Sequence, residues 1–205
     1  MDTAVQHVPL HRAIVVVDIE GSTTRTNPAR AQLRAILFDL LDEAFLAGGI
    51  TEGCRDPFVD RGDGALSLVR PVDEAPKTVL LARVVPALAE LLARHNAENP
   101  EVAFRLRAAV HAGEVHYDEH GPYGEDVDLA CRLLDASDLR RRLKGAEGPL
   151  ALAVSEAIHW SVIRHDYAGI DRAGFAHAFH VRVGGKRMRG WLRTAGWTEV
   201  AGLTA

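Results

Sequence analysis

Residues 13–17, Ala-Ile-Val-Val-Val, form an unbroken apolar and β-branched run that stops at Asp18. A run of this kind has no side left for water, so it is read as a buried central strand. The next stretch, Glu20 to Asn27, is rich in turn-forming residues. Asn27 and Pro28 then make a helix start, with Asn as cap and Pro in the first turn. Leu33, Ile36, Leu37, Leu40, Leu41 and Phe45 recur at helical spacing, and Gly48-Gly49 ends the helix.

The pattern then returns to strands. One is expected from Ile50 into Phe58 and Val59. The turn Asp60-Arg61-Gly62-Asp63-Gly64 joins it to Ala65–Val69, which is a hairpin signal. A long helix is predicted over Ala75–Asn96. Phe104 to His111 alternates as a strand, and Gly113 to Tyr117 continues or re-pairs it. A glycine-punctuated loop leads to a helix over about Asp126–Ala136. Leu150–Val154 reads as a strand and Ser155 as the cap of a helix through His165. His177–Val183 and Trp191–Thr194 read as final strands. The β-α-β-β-α-β order of the first half is that of a ferredoxin-like palm. The expected fold class is therefore α/β (α+β), a mostly antiparallel sheet with flanking helices.

Composition narrows the function classes. With 205 residues the chain suits a single domain, and 47% hydrophobic residues suffice for a core. A net charge of −4 gives no reason to expect nucleic acid as a partner. No apolar run is long enough to span a bilayer, and the first residues lack the apolar block of a signal peptide, so no membrane partner is expected and the localisation is expected to be cytoplasmic. Cys54 and Cys131 are far apart, have no metal-ligand spacing, and are read as reduced thiols.

Two carboxylates carry the chemistry. Asp18 closes the first central strand, and Asp63 sits in the hairpin turn expected beside it. Such a pair is an oxygen-rich site for hard divalent ions, although an aspartate in a turn usually only makes the turn. Two ions there can activate an attacking oxygen and neutralise a departing pyrophosphate. Removing either carboxylate is expected to relieve repulsion and leave the fold intact. Arg132 lies four residues after Asp128, so the two share one helix face.

The neighbouring sequence is more specific. Asp18-Ile19-Glu20-Gly21-Ser22-Thr23 resembles the first metal motif of class III adenylyl and guanylyl cyclases, and Arg61-Gly62-Asp63-Gly64 their second. Residues 106–115, Leu-Arg-Ala-Ala-Val-His-Ala-Gly-Glu-Val, resemble the family's L-R-x-x-[IV]-H-x-G-x-V strand. Residues 124–133 resemble its G-x-x-V-N-x-A-x-R-L helix. Order and spacing agree over about 13–135, within one cyclase homology domain spanning 1–205. The C-terminal third, 136–205, resembles the family loosely, mainly over 181–191.

The resemblance implies a cyclase that converts a nucleoside triphosphate into a 3′,5′-cyclic nucleotide and pyrophosphate. The implied cofactors are two divalent ions, Mg2+ or Mn2+, held by Asp18, Asp63 and the carbonyl of Ile19. Gly21, Ser22 and Thr23 would cradle phosphates with their amides. Arg132 would stabilise the transition state, and Asp128 stands where the family's ribose-orienting Asn stands. The implied assembly is a homodimer with shared sites, and a downstream cyclic-nucleotide receptor is an implied partner.

Three positions depart from the family. Asp128 adds a charge where Asn is usual. Val59 and Gly121 occupy the base-reading positions, with Asp60 or Tyr123 as substitutes if the register slips. The phosphate lysine falls near Val183 or Gly184, with Lys186, Arg187 or Arg189 within reach. The base is open and need not be a purine. In size, and in lacking an attached sensor domain, the chain is similar to the pyrimidine cyclases of antiphage defence, the Pycsar type. The alternative reading is a degenerate cyclase-like domain that binds a nucleotide or a partner protein.

Overall fold

A computed structural model describes residues 8–175, 177–194 and 197. Among these, eight strands form one sheet: β1 (Leu10–Ile19), β2 (Val59–Asp60), β3 (Gly64–Val69), β4 (Leu106–Asp118), β5 (Gly121–Tyr123), β6 (Leu150–Ser155), β7 (His177–Val183) and β8 (Lys186–Arg193). Their order is β2-β3-β1-β4-β6-β8-β7, with β5 paired to the end of β4. All pairings are antiparallel except β4 with β6. That parallel pair needs a crossover, supplied by the helices α4 (Glu125–Leu134) and α5 (Ser137–Lys144).

The continuous apolar run of β1 has its explanation in two cores. Val15 and Val17 point to one face, packed with α1 (Asn27–Ala47), α3 (Val85–Glu98) and part of α6 (Glu156–Ser161). Ile14 and Val16 point to the other, packed with α4 and α5. Both faces of the strand are dry, so alternation is lost.

Several elements differ from expectation. Instead of a strand from Ile50, the chain makes a 3-10 turn at Glu52–Cys54, one bridge between Arg55 and Val69, and only two residues of β2. Pro57 has no N–H to give to a ladder there. The long helix starts as α2 (Lys77–Val79), widens to a π turn at Leu80–Val84, and resumes as α3. Pro86 has no N–H and its ring crowds the carbonyl one turn back, which the wider turn accommodates. β4 runs through without a break. α5 was not expected, although Leu139 and Leu143 are spaced i, i+4 and both are fully buried. The helix after Ser155 ends at Ser161, and a 3-10 turn follows at Ile163–His165. The cap at Ser155 is as expected, its Oγ accepting from the Ile158 amide at 3.3 Å. β8 begins at Lys186, earlier than expected, because Gly184 and Gly185 at φ +52° and +79° close a tight hairpin with β7. No helix among the described residues is long and apolar enough to cross a membrane.

Candidate active site

Asp18 and Asp63 are brought together by the hairpin that the sequence marks. Asp18 is opposite Gly64 in the β1–β3 register, and the Ile19 amide donates to the Asp63 carbonyl at 2.9 Å. Gly64 is required by this approach, since a Cβ there would lie 2.0 Å from the Val17 carbonyl oxygen. The two aspartates line a polar pocket of about 180 Å³ with Val17, Arg61, Gly64, Cys131, Leu134 and Asp135.

Asp18 is only 8% exposed. Both of its carboxylate oxygens accept from Arg107 on the neighbouring β4, one from Nε at 2.8 Å and one from Nη2. Burial pushes the Asp18 carboxyl up to about 6; Arg107 opposes this, while Asp63 and Asp135 add to it. Arg107 Nη1 is buried and has no partner among the described residues. This pairing corrects one inference from the sequence: removing the Asp18 carboxylate would strand a buried guanidinium rather than simply relieve repulsion.

The glycine-bearing loop after β1 is anchored at its edges. The Glu20 carboxylate accepts from Arg105 Nε at 2.8 Å, and the Glu20 amide donates to the Arg105 carbonyl at 2.9 Å. Gly21, at φ +68°, starts a 3-10 turn over Ser22–Thr24. The first amides of such a turn have no internal acceptor, so those of Ser22 and Thr23 are available.

Asp128 and Arg132 share the exposed face of α4, and no hydrogen bond or ion pair is formed by either side chain among the described residues. Neither lines the pocket of Asp18 and Asp63. Lys186 is exposed at the start of β8. Its hairpin packs on α4, where a Cβ at Gly184 would lie 4.0 Å from Glu125 Oε1.

Of the two positions expected to read the base, Val59 lines a second cleft of about 410 Å³ and Gly121 does not. Val59 and Pro122, the neighbour of Gly121, form part of its apolar wall with Phe58 and Leu68. Its polar groups are Arg12, Asp56 and the Tyr117 hydroxyl, which donates to Asp56 at 2.6 Å. Burial raises the Asp56 carboxyl, but Tyr117, Arg12 and Arg70 outweigh it and hold it below the usual range. Asp60 is engaged elsewhere: Arg34 and the Gly62 amide hold its carboxyl down at about 2. Tyr123 is exposed and stacks on His116 with ring centroids 5.4 Å apart.

No protein-family model matches the chain, and no curated protein matches it by sequence. Solved structures do. The guanylyl cyclase Cya2 superposes with a TM-score of 0.64 at 18% identity, over 96% of this chain and 97% of that one. An adenylate/guanylate cyclase/hydrolase from Silicibacter pomeroyi gives 0.63 at 17% identity, over 91% and 98%. The adenylyl cyclase CyaB from P. aeruginosa gives 0.59 at 12% identity, over 92% and 96%. The fold is that of a class III nucleotidyl cyclase catalytic domain.

Three features of these two pockets were not picked out from the sequence. Arg107 stood within the L-R motif without a role; an arginine near the start of a mostly buried strand was the available signal. Asp135 borders the carboxylate pocket and pairs with Arg140 at 2.9 Å. The Arg12–Asp56–Tyr117 group gave no signal, because its members are far apart in the chain.

Proposed function

We propose that the chain is a nucleotidyl cyclase acting as a homodimer with sites shared between subunits. One observation carries this reading: on a class III cyclase fold, Asp18 and Asp63 share a pocket while Asp128 and Arg132 lie outside its lining, exposed and without a hydrogen bond or ion pair among the described residues. A second copy is what would bring the two halves onto one substrate.

Class III cyclases use Mg2+ or Mn2+. Among the described residues no three His, Cys, Asp or Glu side chains form a metal cage. Two carboxylates nevertheless fit such ions, which commonly keep one or two protein carboxylates and complete their shell with substrate phosphates and water. Asp18 and Asp63, with the Ile19 carbonyl, would hold them. Bound there, the ions would polarise the ribose 3′-hydroxyl and offset charge on the departing pyrophosphate, so no strong protein base is needed. For Asp18 to serve, Arg107 must release it. The freed guanidinium, whose Nη1 is already unpartnered among the described residues, is suited to donate to a phosphate oxygen. The Ser22 and Thr23 amides would donate to phosphates, with Lys186 as the long-range cation. Arg132, from the other subunit, would donate to the α-phosphate oxygens as charge accumulates on them.

The deciding experiment is incubation of the purified chain with Mn2+ and each of the four ribonucleoside triphosphates, read by mass spectrometry. A 3′,5′-cyclic nucleotide is expected. Binding of a triphosphate without product would support the degenerate reading, which Asp128 and the Arg107–Asp18 pair favour.

The same assay tests base selectivity. Strong rejection of a wrong base needs buried polar groups that it leaves unpaired. The Val59–Pro122 wall supplies none, and Asp56 is already saturated by its own partners. CTP or UTP is expected to turn over at least as fast as ATP, in keeping with a pyrimidine cyclase of the antiphage type with its own downstream receptor. A hundredfold preference for ATP over both would overturn this.

Metal binding should also report on Asp18. Its carboxyl must lose a proton to bind a cation, and its pKa is raised to about 6. Mn2+ affinity, followed by the electron paramagnetic resonance of free ion, is therefore expected to be constant above about pH 7. Below pH 6 it should fall by about tenfold per unit, the slope of one competing proton. A flat profile down to pH 5 would mean that no carboxyl titrating near 6 competes with the ion.

Asp128 brings a charge towards a polyanion in this reading. Asn keeps the shape and the acceptor oxygen and removes the charge. Asp128→Asn is expected to raise turnover about tenfold, the equivalent of about 1.4 kcal/mol. A fall in rate with dimerisation unchanged would make the carboxylate a working group.

A further inference from the structure

His111 on β4 is 4% exposed, and both of its ring nitrogens are engaged. Nδ1 is 2.7 Å from Ser155 Oγ and Nε2 is 2.8 Å from Asp126 Oδ1. The other Asp126 oxygen accepts from the Glu114 amide at 2.6 Å. Ser155 Oγ accepts in turn from the Ile158 amide at the start of α6. A carboxylate can only accept, so Nε2 carries the proton and the serine hydroxyl donates to Nδ1. Burial lowers the His111 pKa against the pull of Asp126, consistent with a neutral ring.

We infer that His111, Asp126 and Ser155 are positioning residues that lock α4 onto the sheet and thereby aim Arg132. The inference rests on the cyclase reading for what Arg132 does. The packing between α4 and the sheet is apolar, through Val127, Ala130, Leu133 and Leu134. Such contacts are non-directional and tolerate a small slide or rotation of the helix. Hydrogen bonds from a fixed strand do not. Asp126 sits in the first turn of α4, and Arg132 follows six residues on, about 9 Å along the axis. No glycine or proline lies between them. A constraint at Asp126 is therefore transmitted to Arg132.

Gly113 supports this assignment. A Cβ there would lie 2.1 Å from the Asp126 carboxyl carbon, so β4 leaves a space that the carboxylate fills. The trio ties together β4, α4 and the β6–α6 junction; Ser155 is 1% exposed, so a substrate has no access to it, while the Asp126 side chain is partly at the surface. The three residue types are those of a hydrolase triad, but the ring is used the other way round, Nδ1 to the serine and Nε2 to the aspartate, and the buried serine cannot act as a nucleophile from there.

The test uses the full chain. In Asp126→Asn the amide can accept only one of the two N–H groups now satisfied. Turnover is expected to fall by about ten- to a hundredfold with KM for the triphosphate within about threefold, since misaiming affects the transition state. In an Arg132→Ala background the same change should alter turnover by less than about twofold. Multiplicative losses in the double variant would overturn the proposal. Ser155→Ala should give a smaller loss with the same pattern, and serves if Asp126→Asn does not fold. A readout independent of activity is amide hydrogen exchange. Residues 125–134 should exchange at least about tenfold faster in Asp126→Asn, with β1 and β3 unchanged. Unchanged exchange in α4 would overturn the proposal even if wild type turned over no triphosphate. Faster exchange without wild-type turnover would leave the positioning device standing and remove the cyclase reading.

Discussion

Asp63→Ala is expected to lower cyclase turnover by at least about a thousandfold while leaving the fold intact. The loss corresponds to about 4 kcal/mol of transition-state stabilisation, within the range expected when a metal-holding carboxylate is removed. Asp63 is the cleaner of the two aspartates to change. It is half-exposed in a turn, and its charge raises the pKa of the neighbouring Asp18, so its removal relieves repulsion. Asp18→Ala would instead leave Arg107 buried without its partner, a change that typically costs about 3–5 kcal/mol of stability. Turnover and thermal melting measured together separate the two cases. Asp63→Ala should melt within about 2 °C of wild type, and Asp18→Ala markedly lower. An Asp63→Ala protein with full activity would end the two-metal reading.

Mixing two inactive variants should restore activity. Asp63→Ala lacks a carboxylate that would hold the ions, and Arg132→Ala lacks the guanidinium that the other subunit would supply. In a heterodimer both defects fall in one site, and the second site is intact. With random exchange at equal concentrations, half the dimers are mixed, so activity should return to about one quarter of wild type. Each variant alone should remain at least about a hundredfold below wild type. Absence of recovery, with subunit exchange demonstrated by native mass spectrometry, would mean that each chain completes its own site. The exposed positions of Asp128 and Arg132 argue otherwise.

Much of this was legible in the sequence. Ala13–Val17 specified a strand dry on both faces, because five apolar residues in a row allow nothing else so readily in a chain of this length. The Asp-Arg-Gly-Asp-Gly turn specified a hairpin, because Gly62, at φ +83°, takes a conformation that disfavours other residues. The four-residue spacing put Asp128 and Arg132 on one helix face. These are local features, with backbone preference and periodicity acting over a few residues. Their order along the chain was enough to bring out the cyclase resemblance.

What the tertiary structure alone decided lies between residues distant in sequence. Arg107 grips Asp18 across 89 positions, Tyr117 reaches Asp56 across 61, and His111 meets Ser155 across 44. No period or turn rule connects such pairs, since they exist only once the register of β1, β3, β4 and β6 is set. The same holds for Gly113, which read as the point where the strand continues or re-pairs and which leaves the space for the Asp126 carboxylate. It holds also for the convergence of Val59 and Pro122 on one cleft. The short-range pattern determined which elements form and which residues they carry. Strand register and helix docking, governed by burial over the whole chain, determined that Asp18 meets an arginine and that Arg132 stays exposed, outside the pocket of its own carboxylates.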